Sequence, residues 1–300
     1  MDMKRNATLD HARLLATAGV VLFHSGAPGG DIGYAGLPFF LILLVLFSSS
    51  KDRKFATFAS LRFDRLMVPW LVWSLVYGAL KLAEAFALHR PIGQIFAPWM
   101  VLTGPALHLW FLPFAFLASL VLWPLLRSHA ALASPLRPVA ALLAAALTVL
   151  IPLWIKPDGV PIPLPQWLFA LPSLTLGLAF VLLPDARMRW GLMAALTGVA
   201  FLTGWPGGVM QTLIGGWLVL LCLALPRPGT RWSAVSAQLS LTVYLLHPLV
   251  ISLLERIIAS SKGSFFLAVT VLIVTIILSL LLQKMIKVTS QVTGSLRKAS

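Results

Sequence analysis

Charge is scarce in this 300-residue chain, and negative charge is scarcer still. Only 11% of residues are charged, and nine Asp and Glu stand against 23 Lys and Arg. A soluble globular domain carries roughly a quarter charged residues, so that class is excluded. Long polar stretches are missing too. The longest connection between apolar runs is about eighteen residues, 89–106. No attached soluble catalytic domain is expected, and any chemistry falls to the membrane domain itself. A single cysteine, Cys222, excludes an intramolecular disulfide. There is no GxSxG elbow, no glycine-rich phosphate loop, no HExxH, and no histidine followed five residues later by aspartate. No internal repeat, low-complexity segment or inverted half is visible, and inverted halves with matching broken helices would favour a transporter.

What is abundant is hydrophobic sequence, 59% of the chain. Apolar runs of about twenty residues recur along the whole length. They predict an all-α polytopic membrane protein, a single integral-membrane domain over 1–300 with about ten transmembrane helices. The candidate spans lie near 9–27, 33–48, 66–88, 107–126, 138–155, 166–183, 190–204, 209–225, 235–256 and 265–286. The seventh and eighth, split by "GWPGG" (204–208), are short and could instead form one re-entrant pair. Lys4 and Arg5 before an apolar run resemble a signal peptide. The run is bounded by Arg13 and His24 and has no small-x-small cleavage site, so it reads as retained.

The net charge of +14 would suggest nucleic acid in a soluble protein. Here it follows the membrane. With the N-terminus inside, eighteen of the lysines and arginines fall on cytoplasmic segments and three, Arg90, Lys156 and Lys262, on outer loops. Lys81 and Arg256 sit near outer helix ends. The positive-inside rule therefore predicts both termini cytoplasmic.

Ionisable groups inside a bilayer are costly and usually have a task. Arg13 and His24 are eleven residues apart, three helical turns plus about 20°, so they share a face and lie roughly 16 Å apart along the axis. Asp10, one turn before Arg13, is placed to cap the helix start. Arg62 and Arg65, spaced by three, would share a face at the cytoplasmic mouth of the third span and could clamp phosphates, or serve only as topological charge. His108 and Trp110 in "LHLWFLP" (107–113) open the fourth span, where Trp and His are common interfacial residues. Ser240, Tyr244 and His247 line one face of the ninth span, and Pro248 follows. A mid-membrane histidine either glues helices together or works. Lys81 and Glu84 form an i,i+3 pair that is neutralised or lines a polar substrate path. His24, His108 and His247 have no metal-ligand spacing, and no metal is expected.

Together these elements resemble the membrane acyltransferase-3 family. The opening "LDxxR" with a following His is matched by Asp10, Arg13 and His24. "LRFDRLMVPWLVW" is similar to the family's arginine-rich entry to the third span. "HLWFLP" and "SLTVYLLHPL" resemble its later elements, in the same order over essentially the whole chain. "FFLILLVLFSSS" (39–50) departs from the family's "FFxxSG" by lacking the glycine.

The resemblance implies transfer of an acyl group, usually acetyl from cytoplasmic acetyl-CoA, to a hydroxyl of a carbohydrate such as an exopolysaccharide. It implies a multi-pass protein of the bacterial inner membrane, with membrane lipid and a carbohydrate acceptor as partners and no nucleic acid. Homo-oligomers and association with glycan-synthesis machinery are compatible with it. His24 and Arg13 become the catalytic residues, and Arg62 and Arg65 the acyl-CoA-binding residues. Asp10, Glu84, His108, Trp110, Tyr244 and His247 become substrate-contacting or supporting ones. The competing classes are a transporter or flippase of a polysaccharide or its precursor, and a binding subunit of a glycan synthase.

Overall fold

A computed structural model describes residues 5–48, 54–128, 135–156, 158–183, 185–258 and 261–299, with the side chains of 94 and 286–299 excepted. Lys4, Lys51, Arg53 and the last two serines of the 39–50 stretch lie outside the described residues.

Among the described residues the fold is all-α. Eleven helices of eight or more residues follow in order: α1 (Ala7–His24), α2 (Gly36–Ser48), α3 (Phe55–Arg62), α4 (Val68–Ala87), α5 (Phe111–Ser128), α6 (Leu136–Trp154), α7 (Leu164–Leu182), α8 (Ala186–Leu202), α9 (Val209–Ala224), α10 (Arg231–Ile257) and α11 (Phe265–Ala299). Each of the ten expected spans finds its helix. Among the described residues, seven segments are long and apolar enough to cross a membrane. The other three fall short for separate reasons. α1 carries Asp10, His11, Arg13 and His24, which lower its hydropathy. α8 begins with two arginines, and α9 has 16 residues, about 24 Å against a hydrocarbon core of about 30 Å. α8 and α9 are two helices, the number that either two spans or a re-entrant pair requires. Gly204, Trp205 and Gly208, all with positive φ, turn the chain between them. Trp217 Nε1 then donates to Thr197 Oγ1 at 3.1 Å.

The apolar run Phe55–Ala87 is 33 residues long. At about 50 Å it exceeds the hydrocarbon thickness. Its α3 portion precedes a π-helical turn, Phe63–Met67, and Pro69 sits in the first turn of α4. The helix runs unbroken through both, so Pro69 removes one intrahelical N–H, and the carbonyl four residues before it, that of Arg65, lies in the π-helical turn.

The chain falls into two compact units. One holds residues 37–221; the other joins 2–36 to 222–300. In the second unit α1 and α10 run parallel. His11 Nδ1 meets Ser236 Oγ at 3.0 Å, Thr17 Oγ1 donates to the Ser240 carbonyl at 3.3 Å, and the rings of His24 and His247 touch. The pairs keep nearly one offset in numbering, so the register is continuous. The first and ninth of ten spans would run in the same direction. Val21 joins Leu239, Val243, Val250, Ile251, Leu267 and Val271 in this unit's apolar core.

The entry of α1 is tied down beside the entry of α10. Asn6 caps α1 through its side chain, which accepts from Thr8 N–H. Its amide also donates to the Cys222 carbonyl, and Ala7 N–H donates to the Arg227 carbonyl at 2.9 Å. Thr230 and Ser233 close a reciprocal cap on α10. Asp10 is therefore not the cap. Asn6 starts the helix earlier, which puts Asp10 inside the first turn with its carboxylate available for other partners.

Candidate active site

His24 is the last residue of α1, and its side chain is exposed although eight other residues of that helix are buried. The chain turns at Ser25 and Gly26, then folds back along α1. Gly29 adopts a left-handed φ of 79°, which glycine takes without steric cost. The return passes so close that side chains are excluded. A β-carbon at 30 would lie 2.9 Å from Phe23 Cα, and one at 36 would overlap the Ala16 carbonyl. This hairpin delivers Tyr34, which stacks on Phe23 with ring centroids 4.0 Å apart and sits edge-on to His24 at 6.2 Å.

α10 supplies the other wall. His247 is fully buried, and its ring centroid lies 5.2 Å from that of His24. Its Nδ1 is 2.6 Å from the carbonyl oxygen of Tyr244. In a regular helix that carbonyl accepts from the N–H four residues on, but residue 248 is proline and has none. His247 fills the vacancy. Because a carbonyl only accepts, Nδ1 carries the hydrogen and Nε2 of the neutral ring carries the lone pair. The Tyr244 ring is 5.8 Å from that of His247. The structure thus brings His24, His247 and Tyr244 together.

Arg13 lies on the same helix but about three turns from His24, so it shares a face with the histidine and not a contact. Its partner is Asp10. That carboxylate is buried and takes Arg5 Nε at 2.7 Å on one oxygen and Arg13 at 3.4 Å on the other. One buried carboxylate thus ties both Arg5 and Arg13 to the first turn of α1. Arg5 was not singled out from the sequence for this role.

The remaining candidates belong to the first unit. Arg62 donates to Ser48 Oγ at 2.6 Å and lies over the Phe58 ring at 5.2 Å. Arg65 is exposed and falls within the π-helical turn. That turn winds more residues than an α-turn, so the single α-helical face expected for the two arginines does not hold. Glu84 is exposed, and no ion pair joins it to Lys81 among the described residues. Such a pair at an exposed helix end contributes little. His108 is buried on the 3₁₀ turn Leu107–Trp110, edge-on to Tyr77 at 5.1 Å. Trp110 is buried against Phe114 at 5.6 Å. Trp70 Nε1 holds the preceding loop by donating to the Thr103 carbonyl at 3.0 Å. Among the described residues no three His, Cys, Asp or Glu side chains come together as a metal site.

Tyr34 and the glycines at 19, 33 and 36 were missed by the sequence reading. The spacing in "GDIGYAG" was the available signal. Glycines three apart beside a membrane helix permit close backbone approach.

A chain whose described residues include seven helices long and apolar enough to cross a membrane is an integral multi-pass membrane protein. The acyltransferase domain model matches residues 6–284, so the chain belongs to the acyltransferase 3 family and is an acyltransferase. No curated protein and no solved structure matches it.

Proposed function

We propose that this enzyme transfers an acetyl group from cytoplasmic acetyl-CoA to a hydroxyl of an exported carbohydrate, such as an exopolysaccharide or its lipid-linked precursor, at the bacterial inner membrane. The observation that carries the reading is His24 itself. It is an exposed imidazole at the end of a buried helix, in a chain whose family transfers acyl groups.

In this reading the sugar hydroxyl oxygen attacks the thioester carbonyl carbon while His24 takes the hydroxyl proton. Collapse of the tetrahedral intermediate breaks the C–S bond, and the imidazolium returns the proton to the departing CoA sulfur. An imidazole with a reference pKa of about 6.5 suits both steps near neutral pH. Arg62 and Arg65 hold the phosphates of CoA, a task for which a planar guanidinium is suited.

Purified protein given labelled acetyl-CoA and a polysaccharide acceptor tests this. Label in the glycan, together with loss of O-acetyl groups from surface glycans in cells lacking the protein, supports the reading. Glycan movement across vesicles with no label transfer would point to transport.

A further inference from the structure

Pro248, Tyr244, His247 and His24 form a chain of dependence that runs from a backbone defect to an exposed imidazole. The proline leaves a carbonyl open, and His247 closes it with its Nδ1 hydrogen at 2.6 Å. The ring so fixed touches His24. His247 is fully buried, so it does not itself meet an acceptor sugar, whereas His24 is exposed.

We propose that His247 is a positioning residue for His24. Its Nε2 lone pair takes the ring N–H of His24 when substrates are engaged. This fixes the tautomer of His24 and leaves the other nitrogen unprotonated as the base. A ring nitrogen sits about 1.1 Å from its centroid and an N–H···N bond is about 3 Å long, so a centroid separation of 5.2 Å is one that such a bond spans. Catalytic hydrogen bonds commonly tighten only in the substrate complex. Among the described residues, the rings of Tyr34 and Tyr244 also lie beside the pair. With its Nδ1 hydrogen held by the Tyr244 carbonyl, His247 presents Nε2 as an acceptor. The inference rests on the reading of His24 as the base.

The test compares His247→Gln, His247→Asn, His247→Phe and Pro248→Ala in the purified full-length protein. Glutamine places an acceptor oxygen where Nε2 stands. Asparagine reaches only the Nδ1 position. Two readouts are taken: kcat for acyl transfer, and the rate at which diethyl pyrocarbonate modifies His24 with a non-hydrolysable acyl-CoA bound, followed by peptide mass spectrometry. Loss of a partner that orients a metal-bound histidine costs about 10–100-fold, and a loss of the same order is expected here. The Asn and Phe variants should lose kcat by that factor with KM for acyl-CoA unchanged, and His24 should be modified correspondingly more slowly. Gln should stay within about threefold of the parent on both readouts. Pro248→Ala restores a backbone N–H that competes for the Tyr244 carbonyl, and should slow modification of His24.

Full activity in the Phe variant would overturn the proposal, as would equal losses in Gln and Asn or an unchanged His24 rate in Pro248→Ala. If the Phe variant does not fold, the Gln–Asn comparison decides. If the parent protein transfers no acyl group, the function reading fails, and the modification rates still decide whether His247 sets the state of His24.

Discussion

Gly19 and Gly33 meet backbone to backbone: a β-carbon on residue 33 would lie 2.6 Å from the carbonyl oxygen of Gly19. That contact folds the 26–36 hairpin onto α1 and brings Tyr34 beside His24. Gly33→Ala should therefore destabilise the protein by about 1–3 kcal/mol, the usual cost of overpacking, and lower transfer by displacing Tyr34. Gly198→Ala is the control. Nothing lies within 4 Å of its added carbon, so the helix gains up to about 1 kcal/mol in propensity. Thermal unfolding in detergent separates the two, and equal midpoints would contradict the close approach.

Asp10 pairs with both Arg5 and Arg13. Asp10→Ala removes the carboxylate that both guanidinium groups contact. A hydrogen bond to a charged group contributes about 1.5–3 kcal/mol, and the partly exposed arginines discount it, so a loss of about 1–2 kcal/mol is expected. Asp10→Asn retains an acceptor oxygen and should cost less. Identical losses in the two variants would mean that the side chain is only filler.

The long helices were legible because a membrane demands runs of apolar residues that no tertiary context can disguise. α5, α6, α7 and α10 fall within a few residues of the expected spans for that reason. What was not legible came from interactions distant in sequence or from departures in the backbone. Nothing in "RFDRLMVP" announces a π-helical turn, so the spacing of Arg62 and Arg65 implied a face that the backbone does not keep. Asn6 outcompeted Asp10 as the cap through bonds to Cys222 and Arg227, more than 200 residues away. His24 and His247 were each visible as costly residues, but their contact depends on the parallel register of α1 and α10, which no local pattern encodes.

Orientation is testable by thiol labelling. With Cys222→Ala as background, Gly93→Cys on the 89–106 loop should react with a membrane-impermeant maleimide in intact cells. Ser128→Cys, after α5, should react only once the membrane is opened. Both positions are exposed. The reverse pattern would overturn the charge-based orientation.

Donor binding separates the arginines. Arg62→Ala and Arg65→Ala should each weaken acyl-CoA binding by about 10–150-fold, the equivalent of one charge-assisted contact. Arg127→Ala and Arg137→Ala should stay near the parent value. Ser48→Ala removes the Arg62 anchor without removing its charge, and should give a smaller loss than Arg62→Ala. Isothermal titration with a non-hydrolysable acyl-CoA reads all five, and equal effects at the four arginines would leave Arg62 and Arg65 as topological charge.

The central claim is that His24 is the base, and one measurement bears on it most directly: acyl transfer by His24→Ala beside acyl-CoA binding on the same purified sample. Removing a general base lowers turnover by about 10²–10⁴-fold. The account predicts a loss in that range with membrane insertion and acyl-CoA affinity retained. Transfer at the parent rate would remove His24 from the chemistry, and loss of acyl-CoA binding would move it from catalysis to donor recognition.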